Sequence, residues 1–286
     1  MMLMTFETPF ASSLRNSGEI SLHLFFEKFD QEECPEIEIP SSLNSLAKSH
    51  LVEIERFGSI MEVYPVNFAK NIARKGVAAD LFISGEIEEV FVENFESRIF
   101  KLAKKVLLEE QQQTVLVYRR FEISEDVLPP RSKNELKFLL SQNLSTPFNF
   151  HLDYLNHKIP NLDSWLDTVE SPEESTVTET MNYRNFEWVP RFLGDSRTPF
   201  HDERWPSKHC NNLHLSFHLC FMNFTFSVAS DVFSTHIGFR TRLDPVSADR
   251  KRLVQKVKPW NLRRIYRDEL DQLYPGMKNK CFGDKI

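Results

Sequence analysis

Three glutamates follow a short apolar run in residues 81–91, which read LFISGEIEEVF. Glu86 and Glu88 are one residue apart, directly after Gly85. Two carboxylates at this spacing, on a turn at the C-terminal end of a strand, are typical of a site that holds a divalent cation beside a nucleotide. The alternative is a solvated turn, in which Glu86, Glu88 and Glu89 only favour the positive N-terminus of the next helix.

A second acidic pair lies in residues 198–205, TPFHDERW, where Asp202 and Glu203 are adjacent and Trp205 follows closely. Carboxylates beside an aromatic ring suit a sugar, because the ring stacks on the sugar's apolar face while the hydroxyls bind the carboxylates. The same residues are equally compatible with a surface turn.

Histidines form the third group. His214 and His218 are one helical turn apart, near Cys210 and Cys220. This spacing matches no common zinc template, and the intervening Leu, Phe and Met favour a packed helix that leads into a strand at residues 224–229. His236 follows an apolar strand, and taken alone it is interpreted as a core or turn histidine.

The elements that must position these residues are predicted from periodicity. Alternating or continuous apolar character predicts strands at residues 19–29, 78–84 and 113–123, the second of them buried. A helix over residues 65–76 begins at Pro65 and stops at Gly76. Strands and helices that alternate in this way predict an α/β sheet, with ligands at the carboxyl ends of the strands.

Two further helices are predicted in the same half of the chain. Residues 93–107 carry apolar side chains at spacings of four, three and four, which is the pattern of an amphipathic helix. Ser132 and Glu135 form a capping-box pattern in front of residues 135–143.

The second half of the chain changes in composition. Residues 161–183 contain six acidic residues and no Lys or Arg, which predicts a flexible acidic loop within a single domain spanning 1–286. Residues 261–274 predict a docking helix, with one face formed by Leu262, Ile265, Tyr266 and Leu273.

Composition restricts the class of protein. The chain has 286 residues, 41% of them hydrophobic, and a net charge of −6, which argues against a broad nucleic-acid surface. No window approaches a membrane span, and the first ten residues do not have the pattern of a signal peptide. Four scattered cysteines define no disulfide framework. Sequons at Asn143 and Asn223 permit glycosylation in the secretory pathway.

Three stretches in order, residues 64–88, 188–205 and 224–239, resemble glycosyltransferase family 49, which includes the glucuronyl- and xylosyltransferases of the dystroglycan glycan. The first resembles the family's Tyr-Pro-x-Asn, Arg-Asn-x-Ala and Asp-x-Asp region. The others resemble its Asp-Glu-Arg-Phe-like motif and its Asn-Ala-Phe-x-x-His element. The resemblance covers roughly residues 20–275 and implies a GT-A-like nucleotide-sugar-binding fold, a mixed central sheet flanked by helices.

The resemblance also assigns roles to residues. It implies a Mn²⁺ or Mg²⁺ ion held by Glu86 and Glu88, with His236 as a third ligand. It implies an inverting transfer from a UDP-sugar to a hydroxyl of a glycan or glycoprotein acceptor, with Asp202 or Glu203 as the general base.

Asn71 and Arg74 are expected to contact the donor, for which the resemblance suggests UDP-glucuronate. Glutamate replaces the aspartates of the family motif at Glu86 and Glu88. This departure leaves reduced activity or a catalytically silent, glycan-binding relative as alternatives. A separate alternative is an intracellular α/β interaction protein that uses the basic stretch between Arg240 and Arg267 for its partners. The resemblance places the chain in the Golgi lumen, where family members are normally held by an N-terminal membrane anchor. No anchor is predicted in this sequence, which leaves three alternatives open: a fragment, an isoform, or a chain that relies on an unseen N-terminus.

Overall fold

A computed structural model describes residues 65–76, 79–86, 88–171, 173–183, 188–205, 212–241 and 259–282. The chain divides into two compact units, Met1–Ala78 and Ala79–Ile286. In the first unit, α1 (Val66–Gly76) follows Pro65 and ends at Gly76, as predicted. The strand expected at 19–29 lies outside the described residues. The assignment of 1–286 to a single domain stays a prediction.

The second unit is built on a sheet whose described part has seven strands. They are β1 (Leu81–Ile83), β2 (Val90–Phe91), β3 (Thr114–Ile123), β4 (Ser145–Pro147), β5 (Val177–Met181), β6 (Arg191–Asp195) and β7 (Thr225–Ile237). The main path runs β1-β6-β3-β7-β2, while β4 pairs with β3 and β5 pairs with β7. Only the central pair, β3 and β7, is parallel among these strands; the other pairs are antiparallel.

Helices flank this mixed sheet. The described ones are α2 (Phe95–Ala103), a π-helix (Lys104–Glu109), α3 (Lys133–Ser141), α4 (Tyr154–His157), α5 (Leu162–Asp167), α6 (Leu213–Phe221), α7 (Pro259–Leu273) and α8 (Lys278–Phe282). A curled mixed sheet with flanking helices is the GT-A-like fold that the sequence implied. The predicted passage from a helix at His214 into a strand is confirmed by α6 and β7.

Local sequence explains how two of these helices form. The apolar stripe predicted for α2 and its π-helical continuation is buried at Phe95, Ile99, Leu102 and Val106. At the start of α3, the Oγ atom of Ser132 accepts a hydrogen bond from the amide of Glu135 at 3.2 Å. This cap satisfies a backbone donor that the first turn of a helix leaves unpaired.

Two expectations about elements are corrected. The strand predicted as buried at 78–84 is β1, which has three residues and lies at one edge of the sheet, so Ile83 is 38% exposed. In α7, the buried residues are Tyr266 and Leu270, whereas Ile265 and Leu273 are exposed. The docking face therefore follows the helical period through Leu262, Tyr266 and Leu270.

The acidic segment 161–183 is not a loop over its length, because it contains α5 and β5. Its connecting part is held by buried charges: Glu170 accepts a hydrogen bond from Arg98 Nη1 at 3.1 Å, and the amide of Ser171 donates to Asp231 at 2.8 Å. Lys133 donates its backbone amide to the same Glu170 at 2.8 Å. Glu170 thus serves contacts within the fold, whereas Asp163, Glu173 and Glu174 of the same segment are exposed.

A disulfide joins two of the four cysteines. Cys220 in α6 and Cys281 in α8 are bonded, with their Cα atoms 5.8 Å apart and 61 residues apart in sequence. Spacing alone did not indicate this pair, because the two helices meet only in the folded chain. The disulfide ties the C-terminal helices to α6.

Candidate active site

Charged side chains collect on one face of the sheet around its parallel pair. Alternate residues of β3 point to the same side, so Tyr118, Arg120 and Glu122 share one face. Register pairs place three residues of neighbouring strands on the same side, since directly paired residues face together: Arg191 opposite Tyr118, Ser234 opposite Arg120 and His236 opposite Glu122.

Glu89 lies at the centre of this charged face, with its side chain 1% exposed. Its Oε2 atom accepts hydrogen bonds from the hydroxyls of Tyr118 and Ser234, each at 3.0 Å. Its Oε1 atom is 3.0 Å from Arg120 Nη2 and 3.5 Å from Arg191 Nε. One buried carboxylate therefore offsets parts of two guanidinium charges.

Electrostatics of the charged face follow from burial. Burial raises the pKa of Tyr118 well above its ordinary value, and the neighbouring charge of Glu89 raises it further. Burial lowers the pKa of Arg120 to about 10, with the charge of Arg191 acting in the same direction. Burial also lowers the pKa of Arg191, but attraction by Glu86 and Glu89 outweighs it, so the net shift is upward. Both arginines therefore stay charged at neutral pH.

Glu86, the first predicted metal ligand, borders the charged face. Its Oε1 atom accepts a hydrogen bond from Arg191 Nη2 and another from Asn212 Nδ2 at 3.3 Å. The turn closes through the amide of Glu89, which donates to the carbonyl of Glu86 at 3.2 Å. Gly85 has little room for a side chain, because an added Cβ would lie 3.3 Å from Ile83 Cγ2 and 3.5 Å from the Tyr118 hydroxyl.

The other two predicted ligands are arranged differently. Glu88 is exposed in the turn, whereas His236 is half-buried at the end of β7. The Nδ1 atom of His236 is 3.1 Å from the carbonyl oxygen of Gly238, to which it donates a hydrogen bond.

Over the described ranges, no three His, Cys, Asp or Glu side chains form a group that could hold a metal ion. The side chains predicted for Mn²⁺ or Mg²⁺ do not fit such an ion as they are arranged, since Glu86 is already bound by a guanidinium group. The assignment of Glu86, Glu88 and His236 as ligands stays a prediction. The described histidines His214 and His218 likewise belong to no such group.

Glu122 lies beside His236 at the end of the parallel pair and is fully buried. Its two oxygens accept hydrogen bonds from the amides of Asn149 at 3.0 Å and Arg240 at 3.2 Å. Burial raises the pKa of Glu122, although these amides act in the opposite direction. Glu122 thus holds two loops together at the carboxyl ends of β3 and β7.

A small basic and aromatic recess of about 20 Å³ adjoins this end of β3. Phe148 lies in it with the guanidinium carbon of Arg120 3.5 Å from its ring centre. Basic and aromatic side chains together suit a sugar that carries a negative charge. The wall of this recess includes Arg119, Arg120, Phe148, Tyr154, His157 and Lys158.

Asp202 and Glu203, the predicted bases, differ in their surroundings. The carboxylate of Asp202 accepts three hydrogen bonds from Arg204 Nε and Nη2, at 2.6–3.0 Å, and one from the Arg204 amide at 2.9 Å. Arg204 also binds Glu269 of α7 at 2.6 and 2.9 Å. Asp202 is therefore part of an ion-pair network that docks α7, whereas Glu203 is exposed.

The first turn of α6 links the acidic pair to the turn after β1. Asn212 precedes this helix and binds Glu86, while Nε2 of the buried His214 accepts a hydrogen bond from the amide of Asp202 at 2.9 Å. Trp205 stacks on His214, with ring centres 5.5 Å apart. The two stretches that the sequence singled out thus converge on one helix.

Asn71 and Arg74, the predicted donor contacts, both lie in α1. Asn71 is buried and Arg74 is half-buried. Their role stays a prediction, because α1 belongs to the other compact unit.

Sequence reasoning missed Glu89, Arg120 and Arg191 as members of the site. Arg120 had a local signal, because YRRFE places charges inside an otherwise apolar strand, and a buried charge requires a partner. Arg191 had none, since its partners come from strands distant in sequence.

Comparison with known proteins decides the family. The family model described as glycosyl-transferase for dystroglycan matches residues 10–275, which is most of the chain. The chain belongs to this family. It is 26% identical over 220 residues to beta-1,4-glucuronyltransferase 1 of Danio rerio, which covers 76% of the chain and 49% of that relative. The chain thus spans about half the length of this relative.

Membership of the dystroglycan glycosyl-transferase family gives the chain a role in glycosyl transfer. The place of its nucleotide-sugar site stays a prediction. None of the helices in the described ranges is long and apolar enough to cross a membrane.

Proposed function

We propose that this chain transfers a sugar from a UDP-sugar to a hydroxyl of a glycan or glycoprotein, with inversion at the sugar carbon. The observation that carries this proposal is the charged face, because it joins the turn of Glu86 to His236 through Glu89, Arg120 and Arg191. Family membership supports the reaction class.

The donor proposed first is UDP-glucuronate. The zebrafish relative is named as a glucuronyltransferase, and the recess beside β3 presents basic side chains that suit a uronate carboxylate. Lys158 in this recess lies beside the half-buried ring of Tyr154, so a positive charge and an aromatic ring occur together there.

The general base proposed here is Glu203 rather than Asp202. A base must accept a proton from the acceptor hydroxyl, and the carboxylate of Asp202 already accepts hydrogen bonds from Arg204. Glu203 is exposed beside it and can meet an acceptor from solvent. No step of this proposal passes through a metal ion.

Residence in the lumen of the secretory pathway is part of the proposal. The disulfide between Cys220 and Cys281 supports it, because such bonds persist in oxidising compartments. The same bond argues against the intracellular interaction protein.

A UDP-release assay across UDP-sugars tests the proposal, with each sugar offered to xylose-terminated and glucuronate-terminated acceptors. We expect acceptor-stimulated release with UDP-glucuronate, both in Mn²⁺ and in EDTA. No release with any donor, together with retained glycan binding on an array, would contradict transfer. That result would favour the catalytically silent relative, which the pairing of Glu86 and Asp202 with arginines also favours.

A further inference from the structure

Arg191 is bound to the carboxylate of Glu86, which the sequence predicts as a ligand of the divalent cation. Its Nη2 donates to Oε1 of Glu86, and Asn212 donates to the same oxygen at 3.3 Å. A metal ion bound to this oxygen would compete directly with two hydrogen-bond donors.

The Arg191 guanidinium group is fixed in this position by further contacts. Nη1 donates to the carbonyl of Ser84 at 3.1 Å, and Nε is 3.5 Å from Oε1 of Glu89. Its side chain is 6% exposed. Movement toward solvent would leave the buried carboxylate of Glu89 with one fewer cation, which is unfavourable.

The charges of the neighbouring side chains also argue against a divalent cation at Glu86. Arg120 and Arg191 supply two positive charges, which lie against the two negative charges of Glu86 and Glu89. A divalent cation at Glu86 would lie beside two partly desolvated guanidinium groups, and repulsion between like charges is strong where water is excluded.

We infer that Arg191 takes the place of the divalent cation at Glu86, and that this chain binds the diphosphate of its nucleotide without a metal ion at that carboxylate. This inference rests on the proposed function for the identity of the ligand. The exclusion of the cation does not rest on the proposed function, because it follows from the contacts among Glu86, Glu89, Arg120, Arg191 and Asn212.

Direct titration with Mn²⁺, followed by electron paramagnetic resonance, tests the exclusion. For the native protein we expect no Mn²⁺ binding at Glu86, so Glu86→Gln should leave its Mn²⁺ titration unchanged. Arg191→Met frees Glu86, so Mn²⁺ affinity should rise by about tenfold or more, the scale on which groups around a metal site alter affinity. The double variant Arg191→Met with Glu86→Gln should lose this gain, and Arg191→Lys should not show it.

The control for exposed acidity is Glu88→Gln, which should leave the Mn²⁺ titration of the native protein unchanged. If Arg191→Met does not fold, the native protein and Glu86→Gln still decide the matter. Mn²⁺ binding to the native protein that Glu86→Gln weakens would overturn the inference.

Calorimetry with UDP in EDTA and in Mn²⁺ separates this inference from the proposed function. Equal UDP affinity in the two buffers supports both. UDP binding that requires Mn²⁺ and is lost in Glu86→Gln overturns the inference and leaves the proposed transfer intact. Absence of UDP binding in both buffers overturns the UDP donor, and the Mn²⁺ titration then decides the exclusion by itself.

Discussion

At Glu89, one carboxylate that is closed off from water holds two arginines, a tyrosine and a serine. We expect Glu89→Gln to lower the free energy of unfolding by about 3–5 kcal/mol, because Arg120 and Arg191 would remain buried beside each other without their shared anion. Urea denaturation measures this loss.

Glu88→Gln is the matched control, since Glu88 is exposed one residue away and its change should stay within about 0.5 kcal/mol. Equal effects of the two variants would contradict a central role for Glu89.

Substitutions of the adjacent residues Asp202 and Glu203 are expected to have different effects. The first should lower stability, and the second should lower the rate of transfer. Asp202→Asn weakens the contact with Arg204 and should cost about 1 kcal/mol of stability, the scale of a partly exposed ion pair. Glu203→Gln should leave stability unchanged but slow transfer by about 10²-fold, because it removes the proposed base. Melting temperature and initial rate, measured on both variants, distinguish the roles. Normal transfer by Glu203→Gln would exclude it as the base.

His218 contacts α7, and its lowered pKa makes the stability of the fold depend on pH. Its Nδ1 and Nε2 atoms bond the hydroxyls of Tyr266 and Tyr274, at 3.1 and 3.3 Å, which suits a neutral ring with one donor and one acceptor. Burial lowers its pKa from 6.5 to about 4, against the weaker effect of Asp202.

Between about pH 4 and 6.5 the unfolded chain therefore binds a proton at His218 that the folded chain does not. Stability from this group is present above pH 6.5 and declines as the pH falls through that range. Denaturation at pH 7 and pH 5 should show a smaller difference for His218→Phe than for the native protein. His151→Gln, at an exposed histidine, should keep the native difference.

At the scale of elements, periodicity predicts the secondary structure correctly where an element is long and its apolar pattern is regular. The helix at Phe95 and the strand at residues 113–123 were predicted from spacing alone and are confirmed. Spacing could not place Arg191 against Glu86, because that contact depends on the pairing of strands about a hundred residues apart. It also placed Ile265 on the wrong face of α7, since an apolar residue on an exposed side follows the same local pattern.

The disulfide between α6 and α8 should stabilise the unit that contains it. Closing a loop across 61 residues is worth about 4 kcal/mol if its effect is mainly on the entropy of the unfolded chain. Cys281→Ser should lower the unfolding free energy by up to this amount, and its melting temperature should no longer respond to reductant. A melting temperature of the native protein that reductant leaves unchanged would show that the bond is absent.

For the whole molecule, the sequons provide a test of compartment. Asn143 and Asn223 are both exposed, each with positive φ (56° and 63°) in the turn that follows a helix. After expression in a secretory host, Asn143→Gln and Asn223→Gln should each remove one glycosidase-sensitive step in gel mobility. Asn143→Ala with Asn223→Ala should match the enzyme-treated native protein. Absence of any shift in the native protein would contradict passage through the lumen.

The central parallel pair has a consequence for synthesis of the chain. Thr114 bonds Thr225, which is 111 residues later in the sequence, so β3 leaves the ribosome long before the strand that pairs with it in parallel exists. At about 5–20 residues per second this delay is on the order of ten seconds. For that time β3, which is buried over most of its length in the folded chain, has an open edge, a state that invites pairing with another nascent chain. The strand order therefore predicts that the nascent chain benefits from a chaperone during translation.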